Sequence, residues 1–169
     1  MATTVQHDAC ELLDADHIAT KHLFVEYARL GFAGAATEAK AGGRTKGRTP
    51  DGRAALACKI CSELTVHAQI KEEIFYPALR EVIDVPELLD EAQAEHQRVK
   101  ALVARIEGLS EADAAMDDLV SQLARAVENH VKEERDLLFP KARAAQGLDL
   151  EEVGARMKER QQELESQAP

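Results

Sequence analysis

Apolar residues recur along this chain at intervals of three and four, the period of a helix with one buried face, and no β-type alternation competes with that pattern. Leu12, Leu13, Ile18, Phe24, Val25, Ala28 and Phe32 predict a first helix over about residues 8 to 32, with Gly31 and Gly34 as its stop. A second is expected after Pro50-Asp51, carrying Leu56, Ile60, Leu64, His67, Ile70, Ile74 and Phe75 inward until Pro77 bends or ends it. Pro86 opens a third, with Leu88, Leu89, Ala92, His96, Val99, Leu102, Val103 and Ile106 on one stripe and Gly108 as terminator. The fourth is expected from Ser110 to Phe139, with Ser110 as cap and Asp113 three positions on. Four amphipathic helices joined by mostly short connections predict an all-α, up-down-up-down four-helix bundle over residues 1–145. The tail, 146–169, carries Leu150, Val153, Met157 and Leu164 at helical spacing, a short fifth helix that lies across the bundle or mediates a dimer.

The bundle contains an internal repeat. HAQIKEEIFYPALR (67–80) and HVKEERDLLFPKAR (130–143) align without gaps, each placing a histidine ten residues before a proline. Asp16-His17 likewise lines up with Glu95-His96, so the first helix pair reads as a copy of the second. A pseudo-twofold bundle built this way points His17, His67, His96 and His130 at a shared interior. A lone histidine on an apolar helix face is ordinarily a hydrogen-bonded core residue; four in register, one per helix, form a set. His7 and His22 fall outside the register, and His22 is expected on the helix surface.

Charge narrows the function classes. The 169 residues carry 31 acidic and 21 basic side chains, a net charge of −10, which argues against a nucleic-acid or membrane surface. No apolar run approaches the roughly 20 residues that span a bilayer, and MATTVQHDAC has neither a basic nor an apolar leader pattern, so a cytoplasmic monomer or homodimer is expected. Residues 40–53, KAGGRTKGRTPDGR, hold four glycines and five basic residues and read as a flexible, solvated crossover; the order around Lys46 is not that of a phosphate-cradling loop.

His130 and Glu134 lie four residues apart, about 400° of helical rotation, so both project from one face and suit a single metal ion. Mixed imidazole and carboxylate donors in a bundle core favour iron over manganese or zinc. The first copy departs from the second at this point, with Lys71 where Glu134 has its counterpart. An ammonium cannot ligate a cation, and a buried one is costly unless it pairs or deprotonates. Three arrangements are open. Glu72 turns inward through a π-bulge, Glu63 donates from the other side of His67, or the site holds one metal or none with Lys71 paired to Glu134.

The paired segments, with Asp16-His17, His67, Glu95-His96, His130 and Glu134 and the Phe-Tyr-Pro and Leu-Phe-Pro closings at 75–77 and 138–140, resemble the hemerythrin-like, or HHE cation-binding, family. The resemblance covers roughly residues 10 to 145. It implies a non-haem iron centre with His17, His67, His96, His130 and Glu134 as ligands and O2, NO or peroxide as the small-molecule partner. Two irons are implied if another carboxylate bridges, one or none otherwise. It leaves open whether peroxide is turned over, as in a weak catalase, or a ligand is bound and sensed. Where oxygen carriers of the family place a further histidine this chain has Lys100, which points to a sensor, scavenger or stress protein. The competing class is a metal-free helical bundle acting as an interaction or stress-response module, with the histidines as a satisfied polar layer.

Cys58 and Cys61 form C-x-x-C inside the second helix, away from the helix N-terminus that would activate a thiol. They are expected to be buried or half-buried structural thiols, with redox or accessory metal sensing as the alternative; Cys10 is expected to be incidental.

Overall fold

The computed structural model describes residues 7–40 and 52–168, with side chains described only as far as Ala33 in the first stretch. Most of the basic crossover, Lys46 included, lies outside the described residues. The helices are α1 (Ala9–Lys40), α2 (Arg53–Ile70), α3 (Tyr76–Arg80), α4 (Pro86–Glu107), α5 (Ala114–Glu133), α6 (Phe139–Ala144) and α7 (Leu150–Gln167). A π-helical turn, Lys71–Phe75, joins α2 to α3, and a second, Glu134–Leu138, joins α5 to α6. The chain is all-α among the described residues. Four rods, α1, α2 with α3, α4, and α5 with α6, pack in a ring in which α1 touches α2 and α5, and α4 touches the same two. The fifth, α7, lies over α1, α2 and the first π turn. No helix among the described residues is long and apolar enough to cross a membrane.

The π turns fall at the same place in both repeats, six residues ahead of Pro77 and Pro140. Proline lacks an N–H and its ring collides with the carbonyl four residues back in an α-helix. Widening the turn relieves that collision: the amides of Tyr76 and Phe139 bond the carbonyls of Lys71 and Glu134, five residues back. The second rod therefore continues past Pro77 to Arg80, where the sequence predicts a bend or a stop.

Three other expectations change. Helix α1 runs through Gly31 and Gly34 to Lys40. A glycine weakens a helix by only about 1 kcal/mol, and the alanine, glutamate and lysine that follow restore the preference. The α5 cap is Asp113, whose carboxylate accepts from the amides of Ala115 and Met116 at 3.0 and 3.2 Å. The charged acceptor, better suited to the helix dipole, takes the place expected for Ser110. The inner stripe of α1 is Leu13, His17, Thr20 and Tyr27, all buried, while Ile18 and Val25 are 50% exposed and Phe32 80%. Polar side chains on that stripe hide it from a count of apolar positions.

Two apolar cores result. One gathers Leu13, Phe75, Tyr76, Leu79, Leu89, Phe139 and Met157; the other holds Tyr27, Ile60, Leu64, Val99, Val103, Leu119 and Leu123. Arg53, read from sequence as part of the solvated crossover, is instead buried. Its guanidinium donates to both Asp117 oxygens, at 2.9 and 2.7 Å, and to the carbonyl of Ala112 at 3.1 Å, while the Tyr27 hydroxyl donates to Asp117 at 2.8 Å. Asp117 lies 64 residues away in the chain, so no local pattern announces the pair.

Candidate metal centre

His17, Lys71, His96, His130 and Glu134 are buried, and His67 is 12% exposed at its side chain. One helix rod contributes each histidine, and the π turns start at the two remaining members, Lys71 and Glu134. The four imidazoles meet through their Nε2 atoms: His17 and His67 at 3.2 Å, His96 and His130 at 3.2 Å. Glu134 lies between the two pairs, its Oε2 3.3 Å from His17 Nε2 and 3.5 Å from His130 Nε2.

The outward nitrogens explain that orientation. His67 Nδ1 faces Asp16 Oδ2 at 3.2 Å, His96 Nδ1 faces Glu72 Oε1 at 3.3 Å, and His130 Nδ1 faces Glu95 Oε2 at 2.5 Å. A carboxylate holds the proton of Nδ1 and leaves the Nε2 lone pair pointing inward, the arrangement that orients imidazoles toward a cation. Burial, then the nearby Lys71 charge, lowers the pKa of His67 well below its usual value, that of His96 to about 2 and that of His130 to about 3. These imidazoles are neutral donors across the physiological range. Burial and the neighbouring Glu133 in turn push the Glu95 carboxyl up to about 7. His17 differs: its Nδ1 is buried without a hydrogen-bond partner, and the nearest carboxylate oxygen, Asp14 Oδ1, is 3.8 Å away.

Lys71 enters this layer completely buried. Its Nζ donates to His130 Nε2 at 2.9 Å and to both Glu134 oxygens at 3.2 Å. Burial acts against both charges of the pair, but the ammonium and the His17 hydrogen bond hold the Glu134 carboxyl well below its usual range. On the Lys71 side burial prevails over Glu134 and lowers the amine. Tyr76 completes that half: its hydroxyl lies 3.2 Å from His96 Nε2 and 3.4 Å from Glu134 Oε1. The repeat is thus broken twice on one side, by Lys71 opposite Glu134 and Tyr76 opposite Phe139, which stacks on His17 instead.

A two-metal set does not fit this interior. The Lys71 nitrogen stands at bonding distance from two of the donors a second metal would need, and Tyr76 covers the third. Among the described residues no three His, Cys, Asp or Glu side chains already enclose a common metal position. The His17 and His67 side fits better in donor chemistry. There the Nε2 to Nε2 and Nε2 to Oε2 separations of 3.2 and 3.3 Å are close to the edge of a coordination polyhedron whose metal–ligand bonds are about 2.1 Å.

The remaining sequence candidates separate. The π turn expected to swing Glu72 inward exists, but the amide of Lys71 still bonds the carbonyl of His67, so Lys71 keeps the face of that histidine; Glu72 sits behind His96 and accepts from Lys100 at 2.7 and 2.8 Å. Glu63 lines a cavity of about 280 Å³ with Asp16 and His67 and has no ion pair among the described residues. The pairing of Lys71 with Glu134, part of the third arrangement, is present. His22 is exposed, as expected. Cys61 is buried and burial pushes its thiol up to about 12; Cys10 is buried with its thiol likewise at about 12, and both are inert. Cys58 is exposed, against the expectation of burial, because it lies off the inward face of α2. Sequence reasoning missed Tyr76, although the contrast of Phe-Tyr-Pro with Leu-Phe-Pro marked it.

A family model described as the hemerythrin HHE cation binding domain matches residues 8–142 and again 87–168. A DNA nickase from Nostoc sp. is 38% identical over 84 residues, which are 48% of this chain and 23% of that protein, so the chain spans about a quarter of that relative's length. A crystal structure of a hemerythrin HHE cation binding domain-containing protein from Mycobacterium kansasii superposes with a TM-score of 0.69 at 21% identity, covering 95% of this chain and 88% of the other.

Proposed function

The chain belongs to the hemerythrin HHE cation binding domain family, and from that premise we propose that it binds a single non-haem iron between His17, His67 and Glu134, with Lys71 standing where a second metal would be. The observation that supports this is an asymmetry of hydrogen bonding. On the His96 and His130 side both Nε2 lone pairs already face a donor, the Tyr76 hydroxyl and the Lys71 ammonium. On the other side, among the described residues, His17 Nε2 faces His67 Nε2 and Glu134 Oε2. With His67 Nδ1 donating to Asp16, its Nε2 is a lone pair, and the single His17 proton shared at Nε2 leaves His17 Nδ1 orphaned. A cation at that point would serve both inward imidazole nitrogens, with Glu134 Oε2, which already accepts from Lys71, as its third donor atom.

Iron held there would supply an open coordination position for a small ligand such as O2, NO or peroxide. The chain's own residues set its surroundings. Asp16 fixes the His67 ring, Phe139 stacks on His17 at 6.3 Å, and the apolar core around Phe75 and Leu13 limits water. Lys71 holds Glu134 by one charge, and its ammonium is a proton source beside any ligand bound in the layer. Binding or sensing, rather than a defined turnover, is the activity this supports. A DNA substrate draws no support from an acidic chain.

A metal-free bundle is the second reading, favoured by the Lys71, Glu134 and His130 network, which is satisfied without any ion. Metal analysis after anaerobic ferrous reconstitution distinguishes them. About one iron per chain, lost in His67→Ala, is expected; none in the wild type would leave the metal-free bundle, and two would show that Lys71 vacates the layer.

A further inference from the structure

Of the four histidines only His17 lacks a carboxylate at Nδ1, yet a carboxylate stands within reach. Asp14, one turn earlier on α1, has Oδ1 3.8 Å from His17 Nδ1. That same oxygen accepts from Arg135 Nε, on the second π turn, at 2.5 Å. One acceptor atom therefore faces two donor positions and serves the guanidinium. Asp14 and Arg135 are 41% and 44% exposed, and an ion pair so open to water is weak. His17 Nδ1, by contrast, is sealed from solvent, so no water substitutes for the missing partner.

We propose that Asp14 is a positioning residue for His17, withheld by Arg135 in the metal-free chain and transferred to His17 Nδ1 when a cation binds. The inference rests on the single-cation reading of the site. Without a cation, the acceptors beside His17 are Glu134 and His67, both at Nε2, so Nε2 is the nitrogen that carries the proton. A cation takes the Nε2 lone pair, so the same proton must reside on Nδ1. The ring gains and loses no charge; one N–H bond breaks at Nε2 and one forms at Nδ1. A buried N–H without an acceptor is costly, and Asp14 Oδ1 is the nearest one. Its rotation toward His17 breaks the surface ion pair between α1 and the second π turn, so cation binding in the interior is reported at the surface as a released Arg135.

The test uses full-length protein with zinc as a diamagnetic probe and nitrogen-15 labelled histidine, whose long-range proton–nitrogen correlations give the tautomer of each ring. Metal-free wild type should show His17 protonated at Nε2, and metal-free Arg135→Gln should show a shift toward Nδ1. Zinc affinity should rise about tenfold in Arg135→Gln and fall by about tenfold or more in Asp14→Asn, the range for outer-shell partners of metal-bound histidine. Arg135→Lys, which keeps a cation beside Asp14, should match the wild type. Unchanged tautomer and affinity in Arg135→Gln and Asp14→Asn, with zinc still binding, would overturn the proposal. Equal effects of Arg135→Lys and Arg135→Gln would also overturn it, by assigning Arg135 a packing role. If wild type binds no zinc, the single-cation reading fails by itself, and an unmoved His17 tautomer in metal-free Arg135→Gln would reject Asp14 transfer as well.

Discussion

Lys71 and Glu134 occupy equivalent positions in the two halves of the repeat, and the Nζ of one lies 3.2 Å from both carboxylate oxygens of the other. Each lies one α-helical turn beyond its histidine, the amides of Lys71 and Glu134 bonding the carbonyls of His67 and His130, so both share the inward face, and a π turn starts at each. What symmetry would make a pair of bridging carboxylates is here a buried ion pair.

Replacing Lys71 by Glu should raise iron content from about one to about two per chain, with stronger near-ultraviolet charge-transfer absorption. Replacing it by Met should destabilise the metal-free protein by about 3–5 kcal/mol, the usual cost of stranding one partner of a buried pair. Added zinc should recover much of that loss, since a second cation then serves Glu134. Thermal unfolding with and without metal checks the second statement; equal destabilisation in both conditions would contradict it.

The metal-free protein should lose stability as the pH falls. The unfolded histidines titrate near 6.5, while burial holds folded His96 at about 2, His130 at about 3 and His67 well down. Below 6.5 the unfolded chain therefore binds more protons, and each such histidine removes up to about 1.4 kcal/mol per pH unit. Below the usual carboxylate range Glu134, depressed when folded, adds to the loss in the same direction. Glu95 and Asp16, both raised, act in the opposite sense and soften the upper part of the curve. Urea titrations between about pH 4 and about pH 8 should show stability rising with pH, as linkage requires of the larger group; a flat profile would mean the imidazoles are not neutral in the folded layer.

Tyr76→Phe removes the donor facing His96 Nε2 while preserving the packing of the ring. A loss of about 1–3 kcal/mol is expected in the metal-free protein, the range for an unsatisfied buried acceptor. Iron content should stay near one, because Tyr76 lies on the Lys71 side. Loss of iron in this variant would move the metal to the His96 pair.

Gly154→Ala should loosen α7. A Cβ there would meet the backbone nitrogen of Ala9 at 2.9 Å and the carbonyl oxygen of His7 at 3.0 Å, atoms that cannot swing aside. Destabilisation of about 1–3 kcal/mol is expected from such overpacking, with faster proteolysis beyond Asp149 as the local sign.

The polar layer was legible because one histidine per helix, with a matched proline, survives any error of a few residues in helix bounds. The span of α4 and the tail helix were legible for the same reason: periodicity integrates over many positions. What escaped depends on single contacts. Asp113 displaced Ser110 as a cap by a choice between two good acceptors three residues apart, and Arg53 was hidden by its basic neighbours and a distant partner. The first π turn was legible as one of three arrangements around Lys71, but the second was not, because a period of 3.6 cannot register one added residue. Glu72, which the sequence allowed to enter the centre, lies behind His96, because Lys71 one α-turn after His67 holds the inward place.

The Lys71 nitrogen is attached to the chain, so dilution and chelators cannot carry it away as they would a bound ion. A protein with two exchangeable cations is emptied in stages and fills along a curve whose steepness depends on how the first ion prepares the place of the second. On the proposed single-iron reading, with one of the two charges supplied by the polypeptide itself, filling would reduce to a single saturable step whose half-point is set by one affinity alone.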